Sequence, residues 1–150
     1  MKRLHIHLSV ENLEQNINFY STLFGSEPTI QHNDYAKWML DDPRVNFAIS
    51  NRSAKTGLDH LGIQADDEEE LQQIKRQLDA TQAPIEAQQG TACCYVRSDK
   101  YWITDPQNIA WEAFHSLDTI PTFNDPKSIS DGENPFACRP AENQKSSCCG

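Results

Sequence analysis

Two stretches of this chain begin alike and continue alike, and that repetition constrains the fold more than any other feature. The first is Leu4-His5-Ile6-His7-Leu8-Ser9-Val10, followed by a helical pattern over 13–24. The second is Asp59-His60-Leu61-Gly62-Ile63-Gln64, followed by a helical pattern over 67–80. Setting His5 on His60 sets Ile6 on Leu61 and Leu8 on Ile63, and Pro28 and Pro84 then fall almost together behind the helices. Self-similarity of this kind marks a duplicated supersecondary unit.

Each opening carries apolar residues at every second position, the period of a half-buried strand. The helical stretches carry stripes at the 3.6 period: Leu13, Ile17, Tyr20 and Phe24 in the first, Leu71, Ile74 and Leu78 in the second. Asn12 is placed to cap the first helix, and the acidic run 66–70 suits the positive N-terminal end of the second. β-like runs follow each helix. The first half has a weak edge strand at Thr29-Ile30, then 35–40 and 45–50 across the turn Asp41-Asp42-Pro43-Arg44. The second half has 85–88, 92–97, 101–104 and 109–114, the last two flanking the turn Asp105-Pro106-Gln107-Asn108. The expected fold class is α+β, with two βαβββ modules, about 3–50 and 58–115, pairing into a cup-shaped mixed sheet. One domain over 1–116 is expected. The segment 117–150, with Pro121, Pro126, Pro135 and Pro140 among polar residues, is expected to be a mostly disordered, cysteine-containing tail.

With 150 residues the chain is long enough to bury a core without staples, and the shortfall in its 37% apolar content sits mainly at the C-terminus. A net charge of −9 with no Lys/Arg cluster argues against nucleic acid and against an anionic membrane surface, and points to a small ligand. The apolar stretch after Met1-Lys2-Arg3 is broken by His5, His7 and Ser9, unlike a signal peptide. No run approaches the roughly 20 apolar residues of a membrane span. The five cysteines, Cys93, Cys94, Cys138, Cys148 and Cys149, form an odd set with two adjacent pairs, which argues against a disulfide framework. A cytoplasmic, reducing location is expected.

His5, His60 and Glu112 are the candidate metal ligands. A single strand histidine is ordinarily a core or surface residue. Here two occupy equivalent places in a repeat, and a pseudo-twofold would face them toward one another across the cup. Glu112 stands in an otherwise apolar strand, sharing a face with Ala110 and Phe114. Two imidazoles and a carboxylate on one face suit non-haem Fe(II) and oxygen chemistry, and also accept Zn, Mn, Ni or Co. Glu112's counterpart in the first half is Phe47 or Ala48, so a second symmetric site is not expected. His7, on the same face as His5, is its rival; His32 and His115 read as surface residues.

Cys93-Cys94 is the second feature. Strand alternation points only one of the two cleanly inward. One buried thiol and one idle one is the plain interpretation; a vicinal pair that holds a soft centre such as trivalent arsenic or cadmium is the functional one. The following Arg97-Ser98-Asp99-Lys100 is expected to be a loop, either a solvated hairpin or a cover over a ligand. The tail thiols Cys138, Cys148 and Cys149 are either scavengers of metalloid or inert.

The stretch 5–14 with Asn18-Phe19-Tyr20 and Leu23-Phe24-Gly25 resembles the opening of glyoxalase/bleomycin-resistance/extradiol dioxygenase proteins, the vicinal oxygen chelate superfamily. There the metal histidine stands five residues before a valine, as His5 stands before Val10. Leu58-Asp59-His60-Leu61-Gly62-Ile63 is similar to the start of the second module. The stretch 105–112 is similar to the closing Asp-Pro-x-Gly-x-x-x-Glu motif, with Asn108 in place of glycine. The resemblance covers about residues 3–115. Within the superfamily the stretches 35–50 and Thr91-Ala92-Cys93-Cys94-Tyr95, together with the Cys-Cys tail, resemble organoarsenical carbon–arsenic lyases and cadmium-induced proteins.

That closer resemblance implies an Fe(II)-dependent dioxygenase that cleaves the carbon–arsenic bond of trivalent organoarsenicals, methylarsonous acid or reduced aromatic arsenicals, to arsenite. O2 would be co-substrate, Cys93 and Cys94 would bind the arsenic, and a homodimer is an open option for assembly. Two other functions stand beside it: a non-catalytic cadmium or arsenite binder, and a glyoxalase- or thiol-transferase-type reaction.

Overall fold

The computed structural model describes residues 1–93 and 96–119, and the side chains of 1–90 and 98–117. The first module runs β1 (Arg3–Ser9), α1 (Leu13–Phe24), β2 (Ile30–His32), β3 (Tyr35–Asp41) and β4 (Arg44–Ser50). The second runs β5 (Gly57–Ala65), α2 (Glu68–Ala80), β6 (Glu86–Cys93), β7 (Val96–Thr104) and β8 (Ala110–Thr119). Each is βαβββ, as the repeat requires. Asn12 caps α1 by accepting from the Gln15 N–H at 2.9 Å, and Gly25 closes it in the left-handed conformation. Asp67 caps α2 by accepting from the Glu70 N–H at 2.8 Å. Asn108 has φ 63°, the left-handed geometry that asparagine tolerates in place of glycine.

The eight strands form one mixed sheet in the order β2-β3-β4-β1-β5-β8-β7-β6. β1 and β5 meet antiparallel at its centre, while β1/β4 and β5/β8 are parallel. The central register pairs His5 with Gly62 and His7 with His60, the arrangement a pseudo-twofold between the modules produces. Alternation along each strand then sorts the residues. One face carries two apolar cores, each beneath a helix. Under α1 lie Trp38, Phe47 and Ile49 with Ile17; under α2 lie Ala65 and Ala113 with Leu71 and Ile74. The first core is aromatic: Tyr20 and Phe47 have ring centroids 4.6 Å apart, and Phe24 and Phe47 5.1 Å. Such pairs contribute about 0.5–1.5 kcal/mol beyond area burial.

The opposite face carries His5, His7, His60, Glu112 and Lys100. All are buried, on the face opposite the one where the two described helices pack. Among the described residues no helix is long and apolar enough to cross a membrane.

The second half departs from expectation in two places. The hairpin between β6 and β7 falls at 94–95, and Arg97-Ser98-Asp99-Lys100 belongs to the continuous strand β7. The expected loop there is therefore corrected. Its polar residues have partners that a local pattern does not reveal: Asp99 accepts from the Gly90 N–H at 2.6 Å, and Lys100 pairs with Glu112. β8 also continues to Thr119, past the expected boundary at 116. The rest of the expected tail, 120–150, with Cys138, Cys148 and Cys149, lies outside the described residues.

Candidate metal centre

Three strands deliver three donor atoms to one point. β1 presents His5, β5 presents His60, and β8 presents Glu112, all on the buried polar face. His5 Nε2 lies 3.2 Å from His60 Nε2. Glu112 Oε2 lies 3.9 Å from the first and 3.6 Å from the second. The sequence-predicted trio therefore meets, and Ala48 occupies the corresponding place in the first module, across the β1/β4 register from His7.

The outer partners decide which nitrogen of each ring faces inward. His5 Nδ1 sits 3.0 Å from the backbone carbonyl of Asn46, which only accepts, so Nδ1 carries the proton and donates. His60 Nδ1 sits 2.7 Å from Asp59 Oδ1, so it too donates outward. Each ring is left with Nε2 turned to the common point. An acceptor behind the ring fixes its orientation and raises its donor strength at metal centres. Glu112 is divided in the same way: Oε1 takes Lys100 Nζ at 2.7 Å, and Oε2 faces the histidines. Two inward lone pairs 3.2 Å apart repel unless a proton or an ion lies between them, so this donor set fits a divalent cation.

The electrostatics agree. Burial lowers the His5 pKa to about 4, with a contribution from His60, so His5 is neutral at pH 7. Burial and His60 likewise push His7 well below its ordinary range. Burial opposes charge on His60, but its hydrogen bond to Asp59 and the nearby Glu112 carboxylate prevail and raise it. Burial opposes charge on Glu112 as well, yet Lys100 and His60 hold its carboxyl far below the usual carboxylate range. Without an ion, these contacts favour a proton on His60 over one on His5 or His7.

His7 joins the cluster. Its Nε2 lies 2.9 Å from Ser50 Oγ, and its ring centroid is 4.9 Å from that of His60. His32 and His115 stand apart from it, each half-buried. Aromatic rings wall the point: Trp102 beside His60 at 5.1 Å, Phe114 beside His5 at 5.3 Å, and Tyr35 beside His7 at 6.1 Å. Cys93 ends edge strand β6, its backbone paired with Val96; its side chain, and Cys94 altogether, lie outside the described residues. The supporting residues Asp59, Lys100, Ser50 and Asn46 are not singled out by the sequence. Asp59 does stand next to the repeat histidine, which is the one local signal for any of them.

Gly62 makes room for the carboxylate strand. A Cβ there would lie 2.5 Å from the Glu112 carbonyl oxygen, a backbone atom that cannot swing aside. Gly62→Ala is therefore expected to part β5 from β8. The expected loss is about 1–3 kcal/mol of stability, the usual range for overpacking, together with weaker metal uptake because Glu112 moves. Urea unfolding and a metal titration of the same variant check both; unchanged values in both would show that β8 adapts freely.

Comparisons with known proteins agree with this architecture. The profile of the Glyoxalase/Bleomycin resistance protein/Dioxygenase superfamily matches residues 2–113. The chain is 40% identical over 123 residues to the trivalent organoarsenical cleaving enzyme of Bacillus sp. (strain MD1), covering 80% of this chain and 76% of that one. It is 32% identical over 142 residues to the cadmium-induced protein CadI of Mycobacterium bovis, covering 92% and 93%. Among solved structures, an extradiol ring-cleaving dioxygenase from B. fuscum superposes with a TM-score of 0.59 at 14% identity, a likeness of fold. It covers 79% of this chain, which spans 33% of that enzyme's length.

Proposed function

Because the chain belongs to the Glyoxalase/Bleomycin resistance protein/Dioxygenase superfamily, we propose that it is a non-haem Fe(II)-dependent dioxygenase that cleaves the carbon–arsenic bond of trivalent organoarsenicals and yields arsenite. The observation that carries this reading is the convergence of His5 Nε2, His60 Nε2 and Glu112 Oε2 within 3.2–3.9 Å of one another. Two neutral imidazoles and one carboxylate form the facial set with open positions that suits Fe(II) oxygenases. A bound Fe(II) would supply the oxygen chemistry. The chain's own residues do the rest. Asn46 and Asp59 fix the two rings, Lys100 fixes the carboxylate, and the Trp102 and Phe114 rings flank the histidines. Cys93 and Cys94 hold the arsenic as a dithiolate, and binding both reactants in one cup supplies proximity.

The test is a single-turnover incubation of iron-loaded protein with methylarsonous acid. Arsenite should form in air and not under argon. A second reading, a protein that sequesters thiophilic metal without turnover, is favoured by the 32% identity to a cadmium-induced protein. Arsenical bound tightly in air but recovered with its carbon intact would select that reading.

The two thiols and the triad should separate by function. Cys93→Ser or Cys94→Ser is expected to abolish retention of the arsenical through gel filtration while iron content stays at the wild-type level. Loss of iron along with the thiols would contradict that division.

A further inference from the structure

His7 is not needed for a His-His-Glu site, yet it is as deeply buried as the residues that are. It lies directly opposite His60 in the β1/β5 register and shares a face with His5. One donor atom from each of His5, His7 and His60 falls within 4.8 Å of the others, and all three residues are buried. We propose that His7 is a metal donor in its own right. His5, His7 and His60 then make a three-imidazole set for a zinc-type divalent ion, sharing two ligands with the His5–His60–Glu112 set. This rests on the reading of His5 and His60 as ligands.

The chemistry of the donors separates the two sets. Zinc takes three histidines and an open position readily, at about 2.0–2.1 Å per nitrogen, and in tetrahedral geometry this brings donors to roughly 3.4 Å apart. His5 and His60 already stand at 3.2 Å, and a His7 donor atom lies within 4.8 Å of both, so an inward move of the His7 ring completes the set. Ser50, 2.9 Å from His7 Nε2, keeps that ring at the site, and the neighbouring Tyr35 ring limits where it can turn. Glu112 is a shared acceptor, with Lys100 on one oxygen, and is the weaker donor for it. Iron(II) keeps the two-histidine, one-carboxylate set that leaves positions for O2. Zinc outranks iron(II) at nitrogen sites in general. His7 widens that gap, and the zinc-held protein is a competitor state of the iron-held one.

Two measurements on the full chain test this. X-ray absorption of the zinc-loaded wild type should count three imidazoles, falling to two in His7→Gln, which retains a polar contact to Ser50. Competition against a chromophoric chelator should show zinc affinity reduced by roughly tenfold or more in His7→Gln and His7→Ala, on the scale of a lost partner at a metal centre. Anaerobic Fe(II) affinity should be unchanged. Two imidazoles on the wild-type zinc, coordination by sulfur alone, or equal effects of the variants on both metals would overturn the assignment of His7. Failure of the wild type to bind either metal would instead remove the His5–His60 reading beneath it.

Discussion

His60→Ala is expected to eliminate stoichiometric metal binding at the cup, while Asp59→Ala weakens it in a graded way. His60 supplies an inward Nε2 to both donor sets and is 1% exposed, so no neighbouring side chain can enter from solvent to replace it. The loss should exceed the roughly 10- to 100-fold that removal of an outer-shell partner costs. Asp59→Ala should fall within that range, because it removes the acceptor that orients the His60 ring and leaves the ring itself. Ser9 Oγ, 3.2 Å from the other Asp59 oxygen, loses its partner too, so a small stability loss accompanies the change. Anaerobic iron titration followed by elemental analysis separates the cases. If the polar cluster were only a hydrogen-bonded core, His60→Ala would lower the unfolding midpoint and leave metal content where it was. That result would end the metal reading.

The same residues show how much of the site the sequence discloses. The equivalence of His5 and His60 follows from the repeat, because a duplicated strand puts duplicated residues on the same face. Glu112 follows from its place in an apolar strand, since a carboxylate there must be paired or ligating. The supporting residues do not follow. Asn46 anchors His5 through its backbone carbonyl, a group every residue possesses, so its type carries no signal. His7 and His5 are two residues apart on one strand face, and strand alternation treats them alike. Only the β1/β5 register, which sets Gly62 beside His5 and His60 beside His7, distinguishes their neighbours.

Strand β7 illustrates the opposite failure. Arg97-Ser98-Asp99-Lys100 has the composition of a turn. The segment is a strand because tertiary partners satisfy it: Ser98 and Lys100 are buried on the polar face, and Lys100 reaches a carboxylate on the next strand. Turn composition is a local preference, whereas moving Lys100 out of the sheet would leave the buried Glu112 carboxylate unpaired at a cost of about 3–5 kcal/mol. Asn108 shows the converse. The turn at 105–108 is local in origin, closed by Asp105 accepting from the Gln107 and Ile109 N–H groups, and it stands where composition puts it.

Lys100→Met should destabilise the metal-free protein by about 3–5 kcal/mol, the cost of removing one partner from a buried pair, which is a large share of a typical domain's roughly 5–15 kcal/mol. Lys100 and Glu112 side chains are only 4% and 7% exposed, so solvent does little to screen the carboxylate left behind. Methionine keeps most of the stem's volume and removes the ammonium, which stands 5.8 Å from the Trp102 ring centroid, so the effect reports charge more than packing. Three outcomes distinguish this account. First, the deficit should shrink as pH falls. Glu112's carboxyl is held below its ordinary range in the wild type, so its contribution is present above the unfolded carboxylate range and lost only as pH falls through the lower folded value. In the variant the Lys100 share of that lowering is gone and His60 supplies what remains, so the carboxylate takes a proton at higher pH than in the wild type, relieving its burial. Second, a divalent ion should restore more stability to the variant than to the wild type, because the ion supplies the missing positive charge to a carboxylate no longer shared. Third, Lys100→Met combined with Glu112→Gln should recover most of the loss in metal-free protein, since removing both charges leaves no unpaired ion. Urea unfolding at two pH values, with and without zinc, measures all three. A double variant as unstable as the single one would assign the loss to packing around Trp102 and not to the ion pair.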